Sequence, residues 1–256
     1  QNRFKKQRDT TTAKNSFEFT RFTNNHLDTY LYPSKEFWLY PFDIPVSKLE
    51  KSYLGACRHH VNYTTVVMRA NGLPVTSDHI VWSNRNTNHE CNVLLKEDGT
   101  WHPFDADHTS FTVEYDKDSW ITKVFRHTFS PKKKLPYPVT NELPHKFYNA
   151  TVIDVTHEYK KAYDITVPLF ESFESRKYAV ICTFDNKEWV PAYYGDVSDG
   201  QALFKNMGGG VLYLAKCYSN APAEVASKPF LLDTMGRVTF FKPDMNKKQD
   251  MELRRK

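Results

Sequence analysis

Apolar and polar positions recur along this chain with two different periods, and the change from one to the other divides it. Cys57, Val61, Thr65, Met68 and Gly72 follow one another at three- and four-residue steps, the spacing of a single helix face. This predicts a helix from about Cys57 with one stripe on a core. Asn71-Gly72 supplies the stop, with Pro74 just beyond it, because glycine takes the left-handed turn that ends a helix and proline cannot continue one. After Leu73 the period becomes two: Val75, Ser77, His79 and Val81 predict a strand, 89–107 a hairpin, and Phe111–Tyr115 and Thr122–Phe129 further strands of the same domain. The second half repeats that pattern at Thr151–Val155, Tyr163–Val167, Tyr178–Phe184, Trp189–Tyr194, Ala202–Phe204, Val211–Tyr218 and Arg237–Phe241. Short strands separated by turn signals such as Asp199-Gly200 and Gly208-Gly209-Gly210 predict an all-β sandwich. The glycine triplet is not a phosphate loop, since a strand follows it and no Lys-Ser/Thr pair trails it.

Between the halves, Pro131, Lys132, Lys133, Lys134, Pro136, Pro138 and Pro144 form a stretch that fits neither a helix interior nor a central strand, and so read as a linker. The expected organisation is a polar arm at 1–16, a first domain at 17–130, the linker at 131–147, a β-sandwich at 148–243 and a charged tail at 244–256. From Phe17 to Pro45 aromatic and polar residues alternate, as in an irregular apolar layer against the Cys57 helix.

Composition narrows the functional classes. The 256 residues carry 35 Lys and Arg against 30 Asp and Glu, a mild excess spread along the chain rather than the concentrated basic stripe that nucleic acid requires. No run of 18 apolar residues is present to span a membrane, and no signal-like segment lies in this chain. Four cysteines at 57, 91, 182 and 217 match no zinc-finger spacing. Cys182 and Cys217 lie in strand-like sequence and are left either as a pair or as two buried thiols.

Cys57 is the candidate nucleophile. At the first turn of a helix, unpaired N–H groups and the positive end of the dipole favour a thiolate. His89 and Asp105 open and close the following hairpin and supply a base and a group to orient it. The same side chains, with Cys91 and Asp107, give a second reading as a mixed metal site. Hairpin register separates the geometries, because opposed residues share a face. A two-residue Asp98-Gly99 turn sends Asp105 to the face away from His89. A three-residue Glu97-Asp98-Gly99 loop with left-handed Gly99 pairs Lys96 with Thr100 and puts both Asp105 and Asp107 on the histidine's face; of the two, Asp105 is taken as the partner.

The order and spacing resemble the transglutaminase-like cysteine enzyme superfamily: a helix-opening Cys57, a helix stop at Gly72 fifteen residues on, a strand-opening His89, and Asp105 sixteen residues past it. The second half more weakly resembles the β-sandwich modules that follow such domains in some secreted bacterial proteins. The resemblance implies an α+β fold in which a papain/transglutaminase-like domain, a helix packed on an antiparallel sheet, precedes the sandwich. It implies acyl transfer on amide bonds of a protein or peptide by Cys57, His89 and Asp105, as a peptidase, amidase or transglutaminase. No cofactor and no metal is expected, and the setting is secreted, periplasmic or at the cell surface. In that family a segment before the nucleophile lines the cleft, a place open here to Tyr40, Asp43 or Tyr53, although core packing is the first expectation for each. Glu90-Cys91 stands where the family carries Ala-Trp. That departure leaves an alternative, a non-catalytic scaffold whose β-sandwich holds a glycan or protein through aromatics such as Trp189 and Tyr193-Tyr194.

Overall fold

A computed structural model describes residues 12–27, 32–37, 40, 42–83, 88–106, 111, 120–131, 141–185, 188–219, 222–242 and 246. The chain divides into two compact units, one made of 1–79 and 89–115, the other of 80–88 and 116–256. Asp107, the expected strand over 111–115 beyond its first residue, and most of the proline-rich stretch lie outside the described residues.

In the first unit, helix α1 (Ser16–Leu27) is followed by strand β1 (Tyr32–Pro33), helix α2 (Val46–Ser52), strand β2 (Leu54–Gly55) and helix α3 (Cys57–Ala70). Strands β3 (Val75–Trp82), β4 (His89–Leu95) and β5 (Trp101–Phe104) come next, with β4 between β3 and β5. Only the first five residues of β3 belong to this unit. Helix α3 forms where the three- and four-residue periodicity placed it. Its Val67 and Met68, with Leu49, Tyr63, Leu94 and Phe104, build the core. Helix α1 was not expected: Phe17, Phe19 and Phe22 read as part of an irregular layer, whereas Phe17, Thr20, Asn24 and Leu27 make a continuous helical stripe, of which Thr20, Asn24 and Leu27 are buried.

The second unit holds β6 (Ile121–His127), β7 (Val152–Asp154), the short helix α4 (Thr156–Tyr159), and β8 (Ala162–Pro168) through β9 (Tyr178–Asp185), β10 (Glu188–Ser198), β11 (Gln201–Gly208) and β12 (Val211–Cys217). It ends with β13 (Glu224–Val225), β14 (Phe230–Leu232) and β15 (Val238–Phe240). Eight of these strands form one antiparallel sheet in the order β15-β14-β12-β9-β10-β11-β8, with β13 beside β12.

The expected fold class is therefore corrected. The chain is not an α+β papain-like domain followed by a sandwich: of the described residues 42% are strand and 24% helix, and the large sheet curls nearly closed like a barrel. Both ends of that sheet meet where the Tyr163 hydroxyl on β8 donates to the Thr234 carbonyl at 2.6 Å, in the turn between β14 and β15. Backbone and ring come so close that a Cβ on Gly236 would stand 2.5 Å from the Tyr163 ring, and one on Gly209 2.7 Å from the Asp233 carbonyl. Bulges between Pro191 and Tyr193 and between Phe204 and Met207 add the bend that closure needs. Inside lie Ile165, Val167, Ile181, Phe204, Tyr213 and Phe230.

At the second bulge sits a buried cation. The Lys123 ammonium is fully enclosed and donates to the Asp154 carboxylate and to the carbonyls of Lys205 (2.7 Å) and Asn206 (2.9 Å), so each of its three hydrogens has an acceptor. Burial pushes its pKa below the ordinary lysine value, against the pull of Asp154. Asn206 takes a left-handed conformation (φ 55°) and donates through Nδ2 to Asp154 at 2.8 Å.

Candidate active site

Cys57 is delivered by a short ladder. Strand β2 pairs in parallel with β1, Tyr32 with Leu54 and Pro33 with Gly55, and α3 begins two residues later. The first turn lacks a conventional cap, because Ala56 at the N-cap has no side-chain oxygen. His59 supplies the reciprocal half of a capping box instead, its Nδ1 accepting the Ala56 N–H at 3.0 Å. That bond fixes the neutral tautomer with hydrogen on Nε2, which faces the Phe42 carbonyl at 3.4 Å; burial, then the Arg58 charge, keep the ring's pKa below its ordinary value. Gly55 makes room, since a Cβ there would lie 2.9 Å from the His59 Cβ.

The β4–β5 hairpin brings the other two groups together. Lys96 N–H donates to the Thr100 carbonyl at 2.9 Å, and Gly99 adopts φ +81°. This is the three-residue loop, closed further by Asp98 Oδ1 accepting the Thr100 N–H and hydroxyl at 2.9 and 2.6 Å. The ladder then runs Leu95 with Trp101, Leu94 with His102, Val93 with Pro103 and Asn92 with Phe104, so Asp105 follows directly after the last pair. His89 Nε2 lies 2.8 Å from Asp105 Oδ1, and the two side chains are only 18% and 10% exposed.

The imidazole also hydrogen-bonds Cys57. Since Nε2 is engaged by Asp105, Nδ1 is the ring nitrogen left for the sulfur. Burial by itself lowers the His89 pKa, but the bonds to Asp105 and Cys57 and their charges overcome it and raise the value to about 10. The ring is held between the Asp105 carboxylate and Cys57. The structure thus gathers Cys57, His89 and Asp105 in one place within the first unit, from a helix start, a strand start and a strand end. The Cys57 N–H, at the first helical position, has no intrahelical partner and is available to a developing oxyanion.

Other residues singled out in the sequence fall elsewhere. Tyr40 and Tyr53 are not core; they are exposed, as is Asp43, whose carboxylate takes the Asn62 amide at 3.4 Å. Glu90 reaches His79 at 3.4 Å, and Cys91 is fully buried. All four cysteines are free, Cys57 being the one that is not buried, so Cys182 and Cys217 are two separate thiols. Among the described residues no group of three or more His, Cys, Asp and Glu side chains is gathered to hold a metal ion, and no helix is long and apolar enough to cross a membrane. Tyr193 packs on Tyr194 at 4.8 Å, Phe147 on Tyr194 at 5.7 Å and Trp189 on Phe184 at 5.3 Å, so these aromatics form a partly buried layer rather than a bare platform.

Two buried asparagines were not foreseen. Asn92 Nδ2 reaches the Val61 carbonyl (3.1 Å), Thr65 Oγ1 (2.8 Å) and the Thr76 carbonyl (3.5 Å), tying β4 to the helix that carries Cys57. Asn24, on α1, donates to the Asp105 carbonyl at 3.3 Å. Asn24 had a sequence signal, an amide on the apolar stripe of a helix. No family model and no curated protein matches this chain.

Proposed function

We propose that this protein is a cysteine enzyme that transfers the acyl group of a protein or peptide amide. The observation that carries the proposal is the His89 ring held 2.8 Å from Asp105 while hydrogen-bonded to Cys57 at the opening of α3. Cys57 Sγ attacks the carbonyl carbon, forming the C–S bond, and the charge that develops on oxygen meets the Cys57 N–H. His89 gives its proton to the nitrogen of the leaving amine as the C–N bond breaks, and Asp105 keeps the ring aimed throughout. His89, now neutral, takes a proton from the incoming nucleophile, which displaces sulfur from the thioester. Water makes the protein a peptidase or amidase; a primary amine makes it a transglutaminase. The resemblance in residue order and spacing to transglutaminase-like enzymes supports the reading, and the secreted or cell-surface setting is part of the same proposal.

The test incubates the purified protein with an iodoacetamide or epoxide probe, then with glutamine-containing peptides in the presence and absence of a fluorescent primary amine. Labelling at Cys57, with peptide turnover that Cys57→Ala abolishes, is the expected result; amine incorporation distinguishes transfer from hydrolysis. Turnover that persists in Cys57→Ala overturns the proposal.

A further inference from the structure

Asn24 is fully buried near the end of α1, where a polar side chain costs stability unless its groups are bonded. Its Nδ2 donates to the Asp105 carbonyl at 3.3 Å, whereas its Oδ1 has no hydrogen-bond partner among the described residues. The amide orientation follows from the partner: a carbonyl oxygen only accepts, so the NH2 end must face it. Leucine has a similar volume and would leave no bare oxygen in the core. Stability alone therefore does not account for an amide at this position.

What the amide does reach is the first residue past the β4–β5 ladder, whose last pair is Asn92 with Phe104. Beyond that pair the ladder no longer holds the main chain, yet the Asp105 carboxylate must meet His89 within hydrogen-bond distance. Helix α1 is well placed to supply the missing restraint. The Glu97 carboxylate, in the hairpin loop, accepts the Ser16 N–H at 2.7 Å, and Phe17 packs edge-on against His102 of β5 at 4.9 Å. Asn24 is then the third attachment along the same hairpin, at its Asp105 end.

We propose that Asn24 is a positioning residue: by holding the Asp105 main chain it aims the carboxylate at His89 and makes α1 part of the acyl-transfer apparatus. The inference rests on the Cys57–His89–Asp105 reading above.

The experiment compares the full chain with Asn24→Leu, Asn24→Asp and Thr23→Val. Thr23 is equally buried on the same helix but spends its hydroxyl on the Phe19 carbonyl at 2.8 Å, so it reports packing of α1 alone. Each protein is measured for the pH midpoint of the His89 imidazole by NMR and for the rate of Cys57 alkylation by iodoacetamide at pH 7. Both Asn24 variants are expected to lower the His89 midpoint by about one pH unit and the labelling rate about tenfold, while Thr23→Val moves neither. Wild-type values in the Asn24 variants, an equal loss in Thr23→Val, or global unfolding of both Asn24 variants overturns the proposal. A wild-type His89 that titrates at the ordinary 6.5 instead sinks the triad reading itself, whatever Asn24 does.

Discussion

His89 links the site's geometry to measurable pH behaviour. Its pKa rises from the ordinary 6.5 to about 10 in the folded chain. A group whose folded value exceeds its unfolded one stabilises fully below the unfolded value and loses that contribution as pH climbs through the folded one. The thermal midpoint is therefore expected to carry a falling component between about pH 6.5 and 10 that shrinks in Asp105→Asn, read by calorimetry across that range. The same substitution should lower kcat/KM by about a hundredfold or more with little change in KM. For the thiols, burial pushes Cys182 up to about 12 and Cys217 up to about 11, and Cys91 is inaccessible. Iodoacetamide at pH 7 should modify Cys57 at least about tenfold faster than any other, as peptide mass mapping would show; equal rates would remove the case for a nucleophile. The three side chains gathered at this site, Cys57, His89 and Asp105, were legible because their types are few and their spacing narrow. Asn24, Asn92 and His59 were not, since asparagine and histidine in an apolar stripe look like interruptions until partners far along the chain supply the acceptors.

At the level of elements, the site depends on two backbone devices. The left-handed Gly99 sets the three-residue loop, and a Cβ there meets nothing within 4 Å, so Gly99→Ala costs only backbone strain, about 1–2 kcal/mol. Urea unfolding should show that loss together with slower Cys57 labelling, because the loop fixes the register that carries Asp105 to His89. Gly55→Ala acts differently, driving a methyl into His59 and disturbing the cap that seats Cys57. This hairpin was readable in advance: only one of two loop lengths lets Asp105 share a face with His89. Helix α1 was not, because Phe17, Phe19 and Phe22 mimic strand alternation while the residues that complete the helical stripe, Thr20 and Asn24, are polar. The Thr20 hydroxyl donates to the Ser16 carbonyl and the Asn24 NH2 to the Asp105 carbonyl, contacts that no local pattern announces.

For the molecule as a whole, strand positions in the second unit followed from alternation, but alternation is the same for a sandwich and for a single curled sheet. The choice falls to glycines and bulges, where backbones approach too closely for a side chain. Gly236→Ala, at φ +86° and against the Tyr163 ring, should lower stability by about 2 kcal/mol or more, seen as an earlier denaturation midpoint. Asp154→Asn leaves the Lys123 ammonium enclosed without its counter-charge and should cost about 3–5 kcal/mol, whereas Lys123→Met, which removes the ion, should cost less. The seam at Tyr163 also bears on how the fold is reached. Its hydroxyl and the Thr234 carbonyl are 71 residues apart in the chain, and the edges it joins belong to the first and last strands of the large sheet. A ribosome must release nearly the entire second unit before that seam can form, and pairings of such separation are slow to find. Until then both outer strands present bare N–H and C=O rows to any neighbouring chain. The nascent protein is at greatest risk of clumping just before the β14–β15 turn is made, and dilution or a strand-shielding chaperone should raise the refolded yield more than cooling does.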